Sequence, residues 1–175
     1  MLLTFIKGDI TQIEAEAIVN AANSMLAGGG GVDGAIHRAA GPTVMAELDK
    51  VRAAIGRCPP GSAVITGAGR LRACHIIHAV GPVYRGGTAG EPELLASCYR
   101  EAGRLAAEQG DRSIAFPAIS TGIYGYPVEE AAPIAIREVL AAVHAHPVIE
   151  RAVFVLFSDE ALRIFQTAHA NITVR

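Results

Sequence analysis

Six short runs of apolar and β-branched residues punctuate this 175-residue chain, over about 2–6, 17–20, 63–66, 74–79, 113–117 and 152–157. Polar residues are sparse within them, and no strict apolar–polar alternation shows. That is the pattern of strands covered on both faces. Longer stretches with helical spacing lie between. One runs over about 33–54, and another over 91–108, where Leu94, Leu95, Cys98, Ala102, Leu105 and Ala106 recur at the spacing of one helix face. A third begins at Pro127, suited to a first helical position, with Glu129 and Glu130 near the positive end of the helix dipole. A fourth covers about 159–170. Strands alternating with helices predict an α/β fold: a sheet between helical layers, with right-handed crossovers wherever strands are parallel.

In such folds ligands sit beyond the carboxyl ends of the strands, and the loops expected there hold the unusual residues. Gly8-Asp9 ends the first strand. Asn20-Ala21-Ala22-Asn23 ends the second and runs into Gly28-Gly29-Gly30-Gly31-Val32-Asp33-Gly34. Four consecutive glycines cost roughly 0.5–1 kcal/mol apiece relative to alanine when ordered. A chain tolerates that where bare backbone N–H groups must approach a phosphate. Asp33, the one charge among them, is a poor choice for holding an anion and a sensible one for chemistry. Ser120-Thr121-Gly122-Ile123-Tyr124-Gly125 follows the fifth strand and precedes a helix, so two glycine-rich loops can face one diphosphate.

The glycine run also satisfies G-x-G-x-x-G. A dinucleotide fingerprint requires a strand immediately before it and an acidic residue at the end of the next strand. Here a loop intervenes, and the next strand ends in Gly67-Ala68-Gly69. No glycine is followed by Lys-Ser or Lys-Thr, so the P-loop pattern is missing too.

At 51% hydrophobic residues and a net charge of −2, the chain can bury a full core and carries no basic footprint for nucleic acid. One domain over 1–175 is expected. Three widely spaced cysteines (Cys58, Cys74, Cys98) point to a reducing compartment. No apolar run reaches the roughly 20 residues of a membrane span, and Met1 leads at once into a strand, with no room for a leader. A cytoplasmic protein is expected. Cys74, His75 and His78 do not make a metal site, because strand alternation sends His75 to the face opposite the other two.

Gly8-Asp9-Ile10-Thr11, Asn20-Ala21-Ala22-Asn23, Gly28 to Gly34 with Ala35-Ile36-His37, and Ser120-Thr121-Gly122-Ile123-Tyr124-Gly125 together resemble the signature segments of macrodomains, the MacroD-type branch most closely. The resemblance covers essentially the whole chain in order. It implies a three-layer α/β/α sandwich with a mixed central sheet that binds ADP-ribose; some branches carry zinc, but this sequence shows no ligand cluster for it, and no cofactor is expected. It also implies a hydrolase that removes mono-ADP-ribose from acidic (Glu/Asp) protein side chains and deacetylates O-acetyl-ADP-ribose. The implied partners are ADP-ribose, ADP-ribosylated proteins and O-acetyl-ADP-ribose, with nucleic acid entering only as an ADP-ribosylated end.

The same resemblance assigns roles. Asp9 accepts the exocyclic amine of adenine, which penalises bases with a carbonyl there, and the backbone of Ile10 completes that contact; a turn or cap is the plainer reading of Asp9. Asn23 positions the distal ribose, while Asn20 either touches ligand or braces the loop. Gly30, Gly31 and Val32 form one phosphate wall. Gly122 and Ile123, with the hydroxyls of Ser120 and Thr121, form the other, and Tyr124 closes on the ribose or stands as a surface tyrosine. Asp33 either caps a helix or holds a water for attack. His37, one helical turn later, either orients Asp33 or packs under the loop. A non-catalytic ADP-ribose reader and an ADP-ribose 1″-phosphate phosphatase share this pocket as alternatives.

Overall fold

A computed structural model describes residues 2–173; Met1, Val174 and Arg175, the ends of the expected domain, lie outside the described residues. Strands β1 (Leu2–Lys7), β2 (Ala17–Ala22), β3 (Ala63–Gly67), β4 (His75–Val80), β5 (Ser113–Phe116) and β6 (Arg151–Leu156) form one sheet in the order β1-β6-β5-β2-β4-β3. Every neighbouring pair is parallel except β3 with β4. The sheet is therefore mixed, as expected.

The absence of alternation in the strands follows from two cores. Ile18, Ile76 and Val155 face helices α1 (Gly31–Ala40) and α2 (Pro42–Ile55), packing with Ile36, Val44 and Leu48. Their chain neighbours Val19, Ile77 and Phe154 face the opposite layer of α3 (Glu91–Glu108), α4 (Val128–Ala145) and α5 (Asp159–Thr173), where Leu95, Tyr99, Ile136 and Phe165 meet them. Each such fully buried aliphatic or aromatic side chain contributes about 1.5–3 kcal/mol of hydrophobic stabilisation. Among the described residues, no helix is long and apolar enough to cross a membrane.

The expected single helix over 33–54 is two. Gly41, at φ 85° and ψ −178°, takes an extended positive-φ conformation open essentially to glycine alone and ends α1, its N–H donating to His37 O at 3.1 Å. Pro42 then opens α2, lacking only an N–H that no helix start can use. The break turns the chain so that both helices lie on the same face of the sheet.

The parallel strands β1, β6, β5, β2 and β4 all end on one edge, and the loops after β2, β5 and β6 gather there.

Candidate active site

A cleft of about 490 Å³ opens at that edge, a volume typical of sites for small organic ligands. The loop running into α1 forms one wall, through Gly29, Gly30, Gly31, Val32 and Asp33. The loop after β5 forms the other, from Ala118 to Tyr124, and Gly81 floors the space between them. Gly81 has no alternative there, because a Cβ would run into the Ser120 hydroxyl. The sequence pattern thus brings both glycine loops to one cavity.

The first loop meets a helix as expected, and the second meets one less directly. The first enters α1 directly, with Gly30 at its N-cap and no side-chain cap, leaving the first backbone N–H groups of α1 without helical acceptors. The second reaches α4 only after Tyr126 and the N-cap Pro127. Val128, the first residue of α4, lines the cavity nonetheless, and so does the start of α5, where Ser158 Oγ accepts the Ala161 N–H at 3.1 Å and both residues line the cavity. Within the second loop, the N–H groups of Thr121 and Gly125 turn inward to Ala118 O and Gly122 O, and Ile123 stands 89% exposed.

Asp33 lies in the first turn of α1 and is not its cap. Only 6% exposed, it still lines the cleft. Its Oδ1 accepts from Asn20 Nδ2 at 2.8 Å and lies 3.3 Å from His37 Nε2. Its Oδ2 and Asn23 Nδ2 both approach Gly29, lying 3.4 and 3.7 Å from where a Cβ would stand there. Asn23 uses its side chain on its own loop, donating to Gly28 O at 2.9 Å and accepting from Ala27 N at 3.3 Å. One Nδ2 hydrogen therefore remains for the cleft.

Asn20 sits away from the cavity. Strand β2 runs on to Ala22, so Asn20 is interior to the sheet and fully buried. It faces its register partner His78 on β4, with Asn20 Nδ2 3.1 Å from His78 Nδ1. Thr66 on β3 lies on the other side of that ring, its Oγ1 2.9 Å from His78 Nε2. The His37 ring stacks above, centroids 6.0 Å apart. Burial foremost, and the charge of His37 next, push the His78 pKa down to about 3.

Asp9 is exposed at the start of a 3₁₀ turn over Ile10–Gln12, its Oδ1 accepting from Thr11 N at 2.9 Å and Thr11 Oγ1 at 2.7 Å. These bonds, the hydroxyl's above all, lower its pKa and leave Oδ2 free. Ile10 is buried, and neither residue lines the cavity itself. They stand beside one end of it, because Gly8 N–H donates to Leu156 O at 2.9 Å and Phe157 follows. Phe157, read from sequence as a strand end, lies beyond β6 and is 64% exposed against the cleft. Sequence reasoning missed it together with Ser158; the signal was an aromatic at the carboxyl end of a buried strand. Among the described residues, no group of three or more His, Cys, Asp or Glu side chains is gathered for a metal.

The model of the Macro domain family matches residues 19–135. The O-acetyl-ADP-ribose deacetylase of Klebsiella pneumoniae (strain 342) is 55% identical over 166 residues, spanning 95% of each chain. The Oceanobacillus iheyensis macrodomain with ADP superimposes with a TM-score of 0.92 at 41% identity, covering 97% of this chain and 90% of that one. The Trypanosoma brucei macrodomain in complex with ADP-ribose gives a TM-score of 0.85 at 37% identity, over 95% and 68% of the two chains. With the same sheet, the same helical layers and the signature loops gathered at one cleft, the chain belongs to the macrodomain family.

Proposed function

We propose that this macrodomain binds ADP-ribose in the cleft and hydrolyses esters of its distal ribose, deacetylating O-acetyl-ADP-ribose and releasing mono-ADP-ribose from Glu or Asp side chains. The observation that carries the reading is Asp33: a nearly buried carboxylate set in a phosphate-type glycine wall, bonded by Asn20 and flanked by His37, with Asn23 close by. A pure binder of a diphosphate gains nothing from a carboxylate there, since like charges repel. The relatives named for O-acetyl-ADP-ribose deacetylase, and the likeness to structures holding ADP and ADP-ribose, support the same reading.

The ligand then lies along the cleft with adenine at the Asp9–Phe157 end. Asp9 Oδ2 accepts the exocyclic amine, the backbone of Ile10 completes the contact, and the exposed Phe157 face stacks on the base. The diphosphate runs between the start of α1, with Gly30, Gly31 and Val32, and the loop of Ser120, Thr121, Gly122 and Ile123. Asn23 and Tyr124 hold the distal ribose. A water lodged between Asp33 and a ligand phosphate attacks the ester carbonyl. Its oxygen bonds the carbonyl carbon, the carbon–oxygen bond to the ribose breaks, and the water's proton passes to the departing ribose oxygen. The products are acetate, or a free acidic side chain, and ADP-ribose. Orientation supplies several kcal/mol of such a rate enhancement.

The test is turnover of O-acetyl-ADP-ribose and of a glutamate-linked mono-ADP-ribosylated protein, by wild type and Asp33→Ala, with ADP-ribose affinity measured for both. Turnover by wild type alone, with affinities within about tenfold, is expected. Binding by both with turnover by neither makes the protein a reader and overturns the proposal.

A further inference from the structure

Three neighbouring strands each carry one polar residue into the same buried layer: Asn20 on β2, His78 on β4 and Thr66 on β3, all 5% exposed or less. An apolar residue fills such a site without the cost of burying a polar group, roughly 1–3 kcal/mol where a bond is left unmade. The bonds made here fix every proton. Thr66 Oγ1 donates to Gly67 O at 2.9 Å, so it faces His78 Nε2 as an acceptor. His78 is neutral, with its pKa pushed down to about 3 by burial, so it has a single N–H to place. That hydrogen is therefore on Nε2, and Nδ1 offers a lone pair. Asn20 Nδ2 fills it with one hydrogen at 3.1 Å and gives the other to Asp33 Oδ1 at 2.8 Å. Rotating the amide by half a turn would set its oxygen against both the carboxylate and that lone pair.

We infer that His78, locked between Thr66 and Asn20, is a positioning residue that fixes the Asn20 amide and through it the attitude of the Asp33 carboxylate in the cleft. The inference rests on the catalytic reading of Asp33 and extends it three side chains into the core. Neither His78 nor Thr66 lines the cleft, so both act on the rate of the chemical step and leave ligand contacts alone.

The two ring nitrogens are tested separately. His78→Asn puts an amide oxygen near the Nδ1 position and keeps the acceptor for Asn20. His78→Gln puts an amide nitrogen near Nε2 and serves Thr66 only, and His78→Leu serves neither. With O-acetyl-ADP-ribose as substrate, the Gln and Leu variants should lose about 10–100-fold in kcat, and Asn no more than about fivefold, with KM and ADP-ribose Kd within about twofold throughout. Thr66→Val should lower kcat severalfold and Thr66→Ser restore it. Independently of any variant, nitrogen-15 NMR of the wild-type histidines should find His78 protonated on Nε2 alone. A proton on Nδ1 overturns the inference. So does unchanged kcat in the Gln variant, or a fall in kcat matched by an equal loss of ADP-ribose affinity. Asp33→Ala separates the two levels: an inactive Asp33→Ala beside a fully active His78→Gln refutes this inference alone. Turnover retained by Asp33→Ala removes the reading of Asp33, and this inference with it.

Discussion

Gly34 offers a test in which local propensity and packing disagree about sign. It lies inside α1, where alanine for glycine gains about 0.5–1 kcal/mol, so a view of the helix alone predicts that Gly34→Ala stabilises. The incoming loop reverses that. A Cβ on Gly34 would be driven into the carbonyl oxygen of Gly29 and stand 3.0 Å from Arg38 Nη1. The arginine tip can swing away, but the Gly29 carbonyl is backbone and can yield only if the glycine wall moves. Overpacking of that kind costs about 1–3 kcal/mol, so the expected net loss is about 1 kcal/mol. For a domain of this length that lowers Tm by about 2–4 °C. Because Gly29 adjoins both Asp33 Oδ2 and Asn23 Nδ2, its displacement should also weaken ADP-ribose binding about tenfold. Thermal unfolding and calorimetric titration read the two effects. Gly122→Ala is the control for the Tm measurement alone, since nothing lies within 4 Å of a Cβ there and the residue belongs to the ligand wall. A Gly34→Ala protein with raised Tm and unchanged affinity would refute the reasoning.

Phe157→Ala should weaken ADP-ribose binding about 10–100-fold through lost base stacking and leave kcat within about threefold; equal affinity in a titration would exclude the adenine end assigned here. Ser120→Gly relieves a left-handed residue at φ 68° and deletes a buried hydroxyl without a partner, so Tm should rise by about 2–4 °C while ADP-ribose affinity falls. Stability should fall with acidification between pH 6.5 and 3, because the unfolded chain protonates His78 near its ordinary pKa of 6.5 while the folded chain holds it down to about 3. The unfolded state binds one more proton throughout that window, which removes about 1.4 kcal/mol per pH unit. Urea unfolding of His78→Leu from pH 7 to 4 should show a slope shallower by that one proton, and a slope equal to wild type would count against a neutral buried ring.

The layers of this fold were legible because each strand feeds two cores at once. Ile18 beside Val19 and Ile76 beside Ile77 leave no polar face, and that pattern belongs to a sheet covered on both sides. The glycine run and the second loop were legible for a similar reason, since bare backbone in quantity has few uses besides close approach to a ligand. What stayed hidden depended on distance through space. Asn20, His78 and Thr66 are far apart in the chain and meet only once β2, β4 and β3 lie side by side, so His78 read alone suggested at most a metal ligand. Phe157 read as one more apolar residue at a strand end, because its exposure is set by where β6 stops. The α1–α2 break was written in Gly41-Pro42 but overridden by the apolar periodicity that continues through it.

Strain and unmet polarity in this protein are not spread evenly. Among the described residues, two buried side-chain oxygens lack a partner, Asn20 Oδ1 and Ser120 Oγ. The first belongs to the side chain whose Nδ2 is bonded to Asp33, and the second lines the cleft beside Gly81. Among the described residues Ser120 is also one of two non-glycine residues at positive φ, the other being Leu26 off the cleft, a conformation that costs an L-residue about 1–2 kcal/mol. An unmet buried hydroxyl adds about 1–3 kcal/mol. Random imperfection would leave such defects anywhere in two cores and five helices. Ser120 carries both kinds on the wall of the cleft, and Asn20 stands one hydrogen bond behind Asp33, which is what selection for a site leaves behind: groups held ready in geometries that folding alone disfavours. The same argument separates the two walls. The α1 wall is held by a chain of bonded side chains that reaches back to Thr66, which suits a group that must be aimed. The second wall ends in the exposed Ile123 and has backbone bonds within its own turns, which suits a surface that closes on its ligand. The glycine backbone of the first wall and the whole second wall hold the ligand, while the aimed side chains of the first wall serve the chemistry, so substitutions at Asp33, Asn20 and His78 should register in kcat and those from Ser120 to Tyr124 in KM.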